Sequence, residues 1–362
     1  MSLRIANGVL AGLLAVGIAY TAGKPASAYA QQKRFDGVTL RVGTWGAAWK
    51  ESQEKVIAKK FAEVGGKVEF VTGSPQANLA KLVASRGQLP FDMMEILDAQ
   101  EGDFKSSSFL APIDLQKIPN KSLIQPYQYS TSFVGTWYTQ EGICYSKPKY
   151  SELGLAPPEK FQDLVNPKLE RKVLLPDINS GGGLAFVGAI AHATGGDEKN
   201  IAAGLELVTR IKPIRFWSQG SDMITQVQTG DIFAAVAHNG WCFRAAKAGA
   251  PVAFAHPEIK AGTKGIAKVG WMGIMKGSAN IEAAHWYINE YLDPDFQYEF
   301  AVLAGVVPIS LPALKRISEV PVMRDMTQTD PAAMAKELRI DYSKVNVSDW
   351  TDAWNRSVTR SK

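Results

Sequence analysis

Residues 178–188 read INSGGGLAFVG, three glycines behind Ser180 and then an apolar run. A turn of this kind at the head of a helix leaves backbone N–H groups free, and the helix dipole adds partial positive charge there. Ser180, Gly181 and Gly182 are therefore candidates to hold an anionic group. Asp177 stands just before the turn and is placed to receive an amine or to cap the turn. Nucleotide readings fail on residue type. A phosphate-cradling loop needs Lys-Ser/Thr after its last glycine, and none follows Gly183; counted from Gly181, the G-x-G-x-x-G pattern ends on Phe186. A plain glycine turn remains the alternative.

Other chemistries are thinly represented. The four histidines, His192, His238, His256 and His285, do not pair at metal-ligand spacing with one another or with a Cys. His192 and His285 fall in helical runs and read as structural. There is no G-x-S-x-G elbow, so no catalytic residue, metal or cofactor is assigned, and an enzyme is only the rival reading. Aromatic residues, in contrast, gather at the ends of expected strands: Trp45, Trp137 with Tyr138, Trp217, Trp241 and Trp271. Such side chains can wall a small-molecule cleft, although each also fits core packing. Cys144 and Cys242 are a candidate disulfide, and two buried thiols are the alternative.

The elements that must carry these residues follow an α/β grammar. Strand, helix, strand, helix and strand are expected over 38–46, 50–66, 67–73, 76–85 and 91–97. That alternation means a parallel sheet with its strand C-termini on one edge. The middle of the chain repeats it, with strands at 172–178 and 233–239 and helices at 183–194, 202–211 and 240–249. A strand over 269–277, a helix over 280–292 and a helical tail over 311–362 complete the pattern. Two α/β lobes are expected, with the chain crossing between them more than once.

At the start, Arg4 and the apolar run 8–20, followed by Ala28 and Ala30, read as a signal peptide over residues 1–30, cut after Ala30; an uncleaved anchor is the alternative. Arg4 and Lys24 account for two of the formal +5 charges, leaving +3 after cleavage. So mild a balance, with no basic cluster interleaved with aromatics, argues against a nucleic-acid partner.

In order and spacing the chain resembles the periplasmic solute-binding proteins of ABC importers, in particular the group containing the spermidine/putrescine-binding proteins. The likeness is carried by LRVGTWG (40–46), FDMMEILDAQEGDFKSSSFLAPID (91–114), EGICYSK (141–147), AAVAHNGWCFRAAKAGAPVAFAHP (234–257) and the run beginning VGWMGIMKG (269–277). It implies a type II periplasmic-binding fold, two α/β lobes joined by a hinge around a ligand cleft. Lobe 1 would be 37–139 with 252–308, and lobe 2 would be 140–251 with 309–362. It further implies a monomer in the periplasm that delivers a small molecule to an ABC permease.

The family's ligand residues transfer unevenly. Trp45 and Trp271 keep its aromatics. Gly273 replaces the Asp that grips an amine, and His238 replaces a Trp. Around 96–100, Asp98 and Gln100 become the substitutes. PDINSGGG resembles the loop of relatives that bind ferric-anion complexes or phosphorylated ligands, but the adjacent Tyr pair of the ferric binders is absent from AHNGWCF. The expected cleft therefore comprises Trp45, Ser74, Asp98 and Trp271 from lobe 1, Trp137 near the hinge, and Asp177, Ser180, Gly181, Gly182, Ser218, His238 and Asn239 from lobe 2. The expected ligand is a small organic molecule with an anionic group and an amine; a polyamine is the alternative.

Overall fold

Apolar residues recurring every third or fourth position make helices here, and short β-branched runs make strands. In the computed structural model, residues 33–218 and 220–358 are described, apart from the side chains of Ser221 and Asp222. The expected signal peptide and its cut after Ala30 lie outside the described residues. From Arg34 onward the chain forms one unit.

Among the described residues there are eleven strands: β1 (Thr39–Thr44), β2 (Lys67–Thr72), β3 (Met93–Leu97), β4 (Val134–Ser146), β5 (Val173–Pro176), β6 (Arg215–Trp217), β7 (Ala234–His238), β8 (Val252–Ala255), β9 (Glu258–Lys260), β10 (Thr263–Lys264) and β11 (Ile266–Ile274). One sheet runs β2-β1-β3-β11-β4-β7-β5-β6, with β8 also on β4; β9 and β10 make a separate hairpin. The expected parallel pairings appear at both ends, β1 with β2 and β3, and β5 with β6 and β7. The centre is different. β11 and β4 run antiparallel to each other and to their outer neighbours β3 and β7. These two long strands lie at the middle of the sheet, between its two parallel ends.

Local sequence explains the main elements. β3 reads MMEIL and is buried throughout, as a central strand covered on both faces must be. Edge strand β2 exposes Lys67 and Glu69 instead, which discourages pairing with another chain. Ser74 caps the helix Pro75–Ala84, its hydroxyl accepting from Ala77 N–H at 3.1 Å, and Pro75 takes the first-turn position. The helix expected over 50–66 runs from Ala48 to Glu63 and contains a wider π turn at Glu54–Ala58. Glycine is obligatory where a ring lies flush against the backbone. A methyl at Gly270 of β11 would stand 1.9 Å from the Trp137 ring of β4.

Two large apolar cores flank the sheet. One includes Leu40, Val42, Ile57, Phe61, Trp137, Tyr287 and Phe300, and takes in the start of the tail through Ile309, Leu314 and Ile317. The other gathers Phe161, Leu175, Phe186, Ile190, Val208 and the end of the tail, Trp350 and Trp354. Trp286 packs on Phe35 and Phe61. Cys144 of β4 and Cys242 form a disulfide with Cα atoms 5.6 Å apart, closing the open question from the sequence. His285 is structural, its Nε2 accepting from Asp114 N–H at 2.8 Å while its Nδ1 lies 2.7 Å from the Ile281 carbonyl.

Candidate functional site

The crossing strands carry one charged group that the sequence reading did not single out. Lys268 is the third residue of β11, opposite Thr139 of β4, and is almost wholly buried. Its Nζ donates to the Gly181 carbonyl at 2.8 Å and stands 3.2 Å from Glu141 Oε1 of β4, which is equally buried. From the other half of the sheet, Asp98 follows directly on β3 and feels the Lys268 charge. Its carboxylate accepts from Ala99 N–H at 2.8 Å and from Val269 N–H. Burial nevertheless dominates and pushes Asp98 up to about 7, because a carboxylate removed from water resists ionisation. Asp98, Lys268, Glu141 and Gly181 thus form a polar chain from one half of the sheet to the other.

The glycine turn is built as a cap. Asp177 Oδ1 accepts from Asn179 N–H at 2.9 Å, and the Asp177 carbonyl accepts from Ser180 N–H. Asp177 therefore holds its own turn. A methyl at Gly183 would stand 2.2 Å from the carbonyl oxygens of Asp177 and Ile178, so the helix Gly183–Ala193 starts only where no Cβ intervenes. Gly181 and Gly182 N–H meet no acceptor, and Ser180 Oγ is buried without a partner, among the described residues. The turn is not empty of charge, however. The position of a methyl on Gly182 is 3.5 Å from Glu141 Oε2 and 3.3 Å from the Trp217 ring.

Beyond Trp217 the rim continues through His238 at the end of β7. His238 Nδ1 accepts from Gly240 N–H at 3.1 Å, which places its remaining proton on Nε2. Burial, with the nearby charges of Lys268 and Arg244, holds the ring well below the usual histidine range, so it is a neutral donor. The His238 ring lies 5.3 Å from that of Trp241, and Arg244 is stacked over Trp241 at 3.9 Å. Trp241 in turn abuts Gly220, just past β6 and the exposed Ser218.

The expected site residues divide accordingly. Asp98, Gly181, Gly182 and His238 are drawn together around Lys268. Trp45 and Trp271 are half-buried, and the indole N–H of each lacks a partner among the described residues. Ser74 is engaged as a helix cap. Trp137 is corrected: it is 2% exposed, donates to Glu95 Oε2 at 3.3 Å and is packed edge-on by Trp49, so it belongs to the core. Asn239 is likewise structural, its Oδ1 accepting from Gln140 N–H and its Nδ2 donating to Thr327. Sequence reasoning missed Glu141, Lys268 and Arg244. The first two had a readable signal, single charges inside the strand runs GTWYTQEGICYS and IAKVGWMGI, where a charge must be paired or face a cavity.

Two surface hollows, one beside Ser52, Lys55 and Val302 and the other beside Arg171, Lys212 and Phe216, lie away from these strand ends. No three His, Cys, Asp or Glu side chains converge to hold a metal ion, and no helix is long and apolar enough to cross a membrane, among the described residues.

A main sheet with parallel ends, crossed by two antiparallel strands that carry Glu141 and Lys268, has the architecture of a type II periplasmic-binding fold. Solved structures of that fold superpose over nearly their whole length. The spermidine/putrescine substrate-binding protein of Streptococcus pneumoniae matches with a TM-score of 0.73 at 17% identity, covering 90% of this chain and 100% of that one. An ABC transporter structure from Clostridium perfringens gives 0.71 at 23% identity, over 88% and 99%. A glucopine-bound binding protein of A. tumefaciens gives 0.67 at 19%, over 88% and 99%. No curated protein matches the chain by sequence. The profile of the bacterial extracellular solute-binding proteins matches residues 46–298, and the chain belongs to that family.

Proposed function

We propose that this protein is exported, captures a small organic solute between two lobes and delivers it to an ABC permease without chemical turnover. The lobes would be 37–139 with 252–308 and 140–251 with 309–362, acting as a monomer in the periplasm. The observation that carries the reading is the Asp98–Lys268–Glu141–Gly181 chain, because it links the segment after β3 to the turn after β5 through the two crossing strands. Closure would be a population shift, driven by contacts that the solute makes to both lobes only when they meet. The Cys144–Cys242 disulfide suits an oxidising compartment.

The solute would carry an amine and an anionic group. Asp98 and Glu141 offer carboxylates to the amine, and the half-buried Trp45 and Trp271 offer ring faces to its apolar part. Lys268 offsets those carboxylates, 3.2 Å from Glu141 and acting on Asp98. A polyamine would bring two or more positive charges to a site whose acids are already offset, so the zwitterion is favoured over it. A thermal-shift screen of the protein against amino acids, opine-like compounds, carboxylates and polyamines tests this. Stabilisation by zwitterions, with solute recovered unchanged, is expected. Stabilisation by putrescine or spermidine alone would overturn the ligand class.

A further inference from the structure

Arg244 stands on the helix Asn239–Lys247, three residues after Trp241, so the two side chains share a helix face. Its Nε and Nη2 are shut off from solvent, and among the described residues neither meets an acceptor. Burial alone depresses its pKa, to about 10, with no carboxylate pulling the other way. Taking a guanidinium out of water without an oxyanion is costly, and stacking on an indole returns only part of that cost. Nε and Nη2 form one edge of the guanidinium plane, the edge that grips carboxylate or phosphate with two parallel hydrogen bonds.

Its surroundings place it beside His238 and the segment that follows β6. Arg244 and Lys268 both act on His238, and Trp241 touches the chain just beyond β6. The glycine turn is the poorer anion site, because Glu141 already lies beside Gly182 and the Gly181 carbonyl is turned to Lys268. A second carboxylate there would meet like charge. We propose that Arg244, seated on Trp241 beside the neutral His238, receives the oxyanion of the bound solute, a carboxylate or a phosphate ester, in place of the Ser180–Gly182 turn.

This assignment rests on the solute-capture reading, and a matched probe set separates the two. Titration calorimetry would compare δ-aminovalerate, its amide δ-aminovaleramide, phosphoethanolamine and cadaverine. The wild type is expected to bind δ-aminovalerate or phosphoethanolamine at least about tenfold more tightly than the amide, the ratio lost when a charge-assisted pair is removed. Preference for δ-aminovalerate over phosphoethanolamine would mark the carboxylate as the source, and the reverse preference the phosphate. Arg244→Gln should bring acid and amide within about twofold of each other, the residual spread of a lost charge contact. Arg244→Lys keeps the charge but not the fork, and should retain part of the preference even if the Gln variant folds poorly. An undiminished preference in both variants would overturn the assignment. Binding of cadaverine or the amide alone would overturn it while leaving solute capture intact, and no binding by any probe would overturn both.

Discussion

A buried acid decides more here than its single charge suggests. Glu95 lies in β3 and is fully enclosed. It accepts from Thr44 Oγ1 at 2.8 Å, Tyr291 OH at 3.2 Å, Gln53 Nε2 at 3.3 Å and Trp137 Nε1 at 3.3 Å. Burial outweighs these four donors and pushes Glu95 up to about 7. Since the folded state then holds its proton more tightly than the unfolded chain, the acid's stabilising contribution is full below about pH 4.5 and fades as pH rises through about 7. Glu95→Gln should flatten that part of the stability profile, a difference on the order of 3 kcal/mol across the window, read by urea unfolding between these limits. An unchanged profile in the variant would remove Glu95 from the account. Asp98 follows the same physics at the cleft, with the opposite consequence for a ligand. An amine needs its ionised form, so affinity for an amine-bearing solute should rise from pH 6 to pH 8, through about 7. Asp98→Asn should weaken binding by about tenfold or more and abolish the rise, as calorimetry at both pH values would show.

Among the elements, the junction between β5 and the helix Gly183–Ala193 is tightly specified. Ala in place of Gly ordinarily helps a helix by up to about 1 kcal/mol. At Gly183 the sign reverses, because the added methyl would run into two backbone oxygens at 2.2 Å and must push the Asp177–Gly182 turn aside. Gly183→Ala should cost about 1–3 kcal/mol, the usual penalty for overpacking, and weaken solute binding with it. Gly181→Ala is the control, since nothing lies within 4 Å of a methyl there. Equal melting temperatures for the two variants would contradict the geometry.

At the scale of the molecule, β4 and β11 tie the halves together, and the disulfide fastens the end of β4 to the helix after β7. It closes a long loop, the two cysteines being 98 residues apart. Replacing both with Ser should lower stability by about 2–4 kcal/mol, measured as the urea midpoint, without changing the ligand class. Loss of solute selectivity in that variant would show that the crosslink also shapes the cleft. Tyr138, Gln140 and Glu337 meet beside the same strands, Gln140 Nε2 donating to Glu337 Oε1 at 2.8 Å, so the tail is locked to the crossing point as well.

The sequence by itself determined the periodic parts. The runs VTLRVGTWG, FDMMEIL and GLAFVGAIAHAT carry their element type in local apolar spacing, and their order was enough to indicate an α/β fold of this family. It also excluded a nucleotide at the glycine turn, because no Lys-Ser/Thr follows Gly183 and the G-x-G-x-x-G pattern fails at Phe186. What sequence left open depends on residues distant in the chain. Trp137 and Asn239 carry the right chemistry for a cleft, yet β3 and the tail supply partners that take both into the core. Lys268 and Glu141 sit 127 positions apart and become a pair only when β11 runs antiparallel to β4. Charge at the glycine turn was decided the same way. Backbone geometry made the turn a place for an anion, but tertiary packing had already put Glu141 beside it.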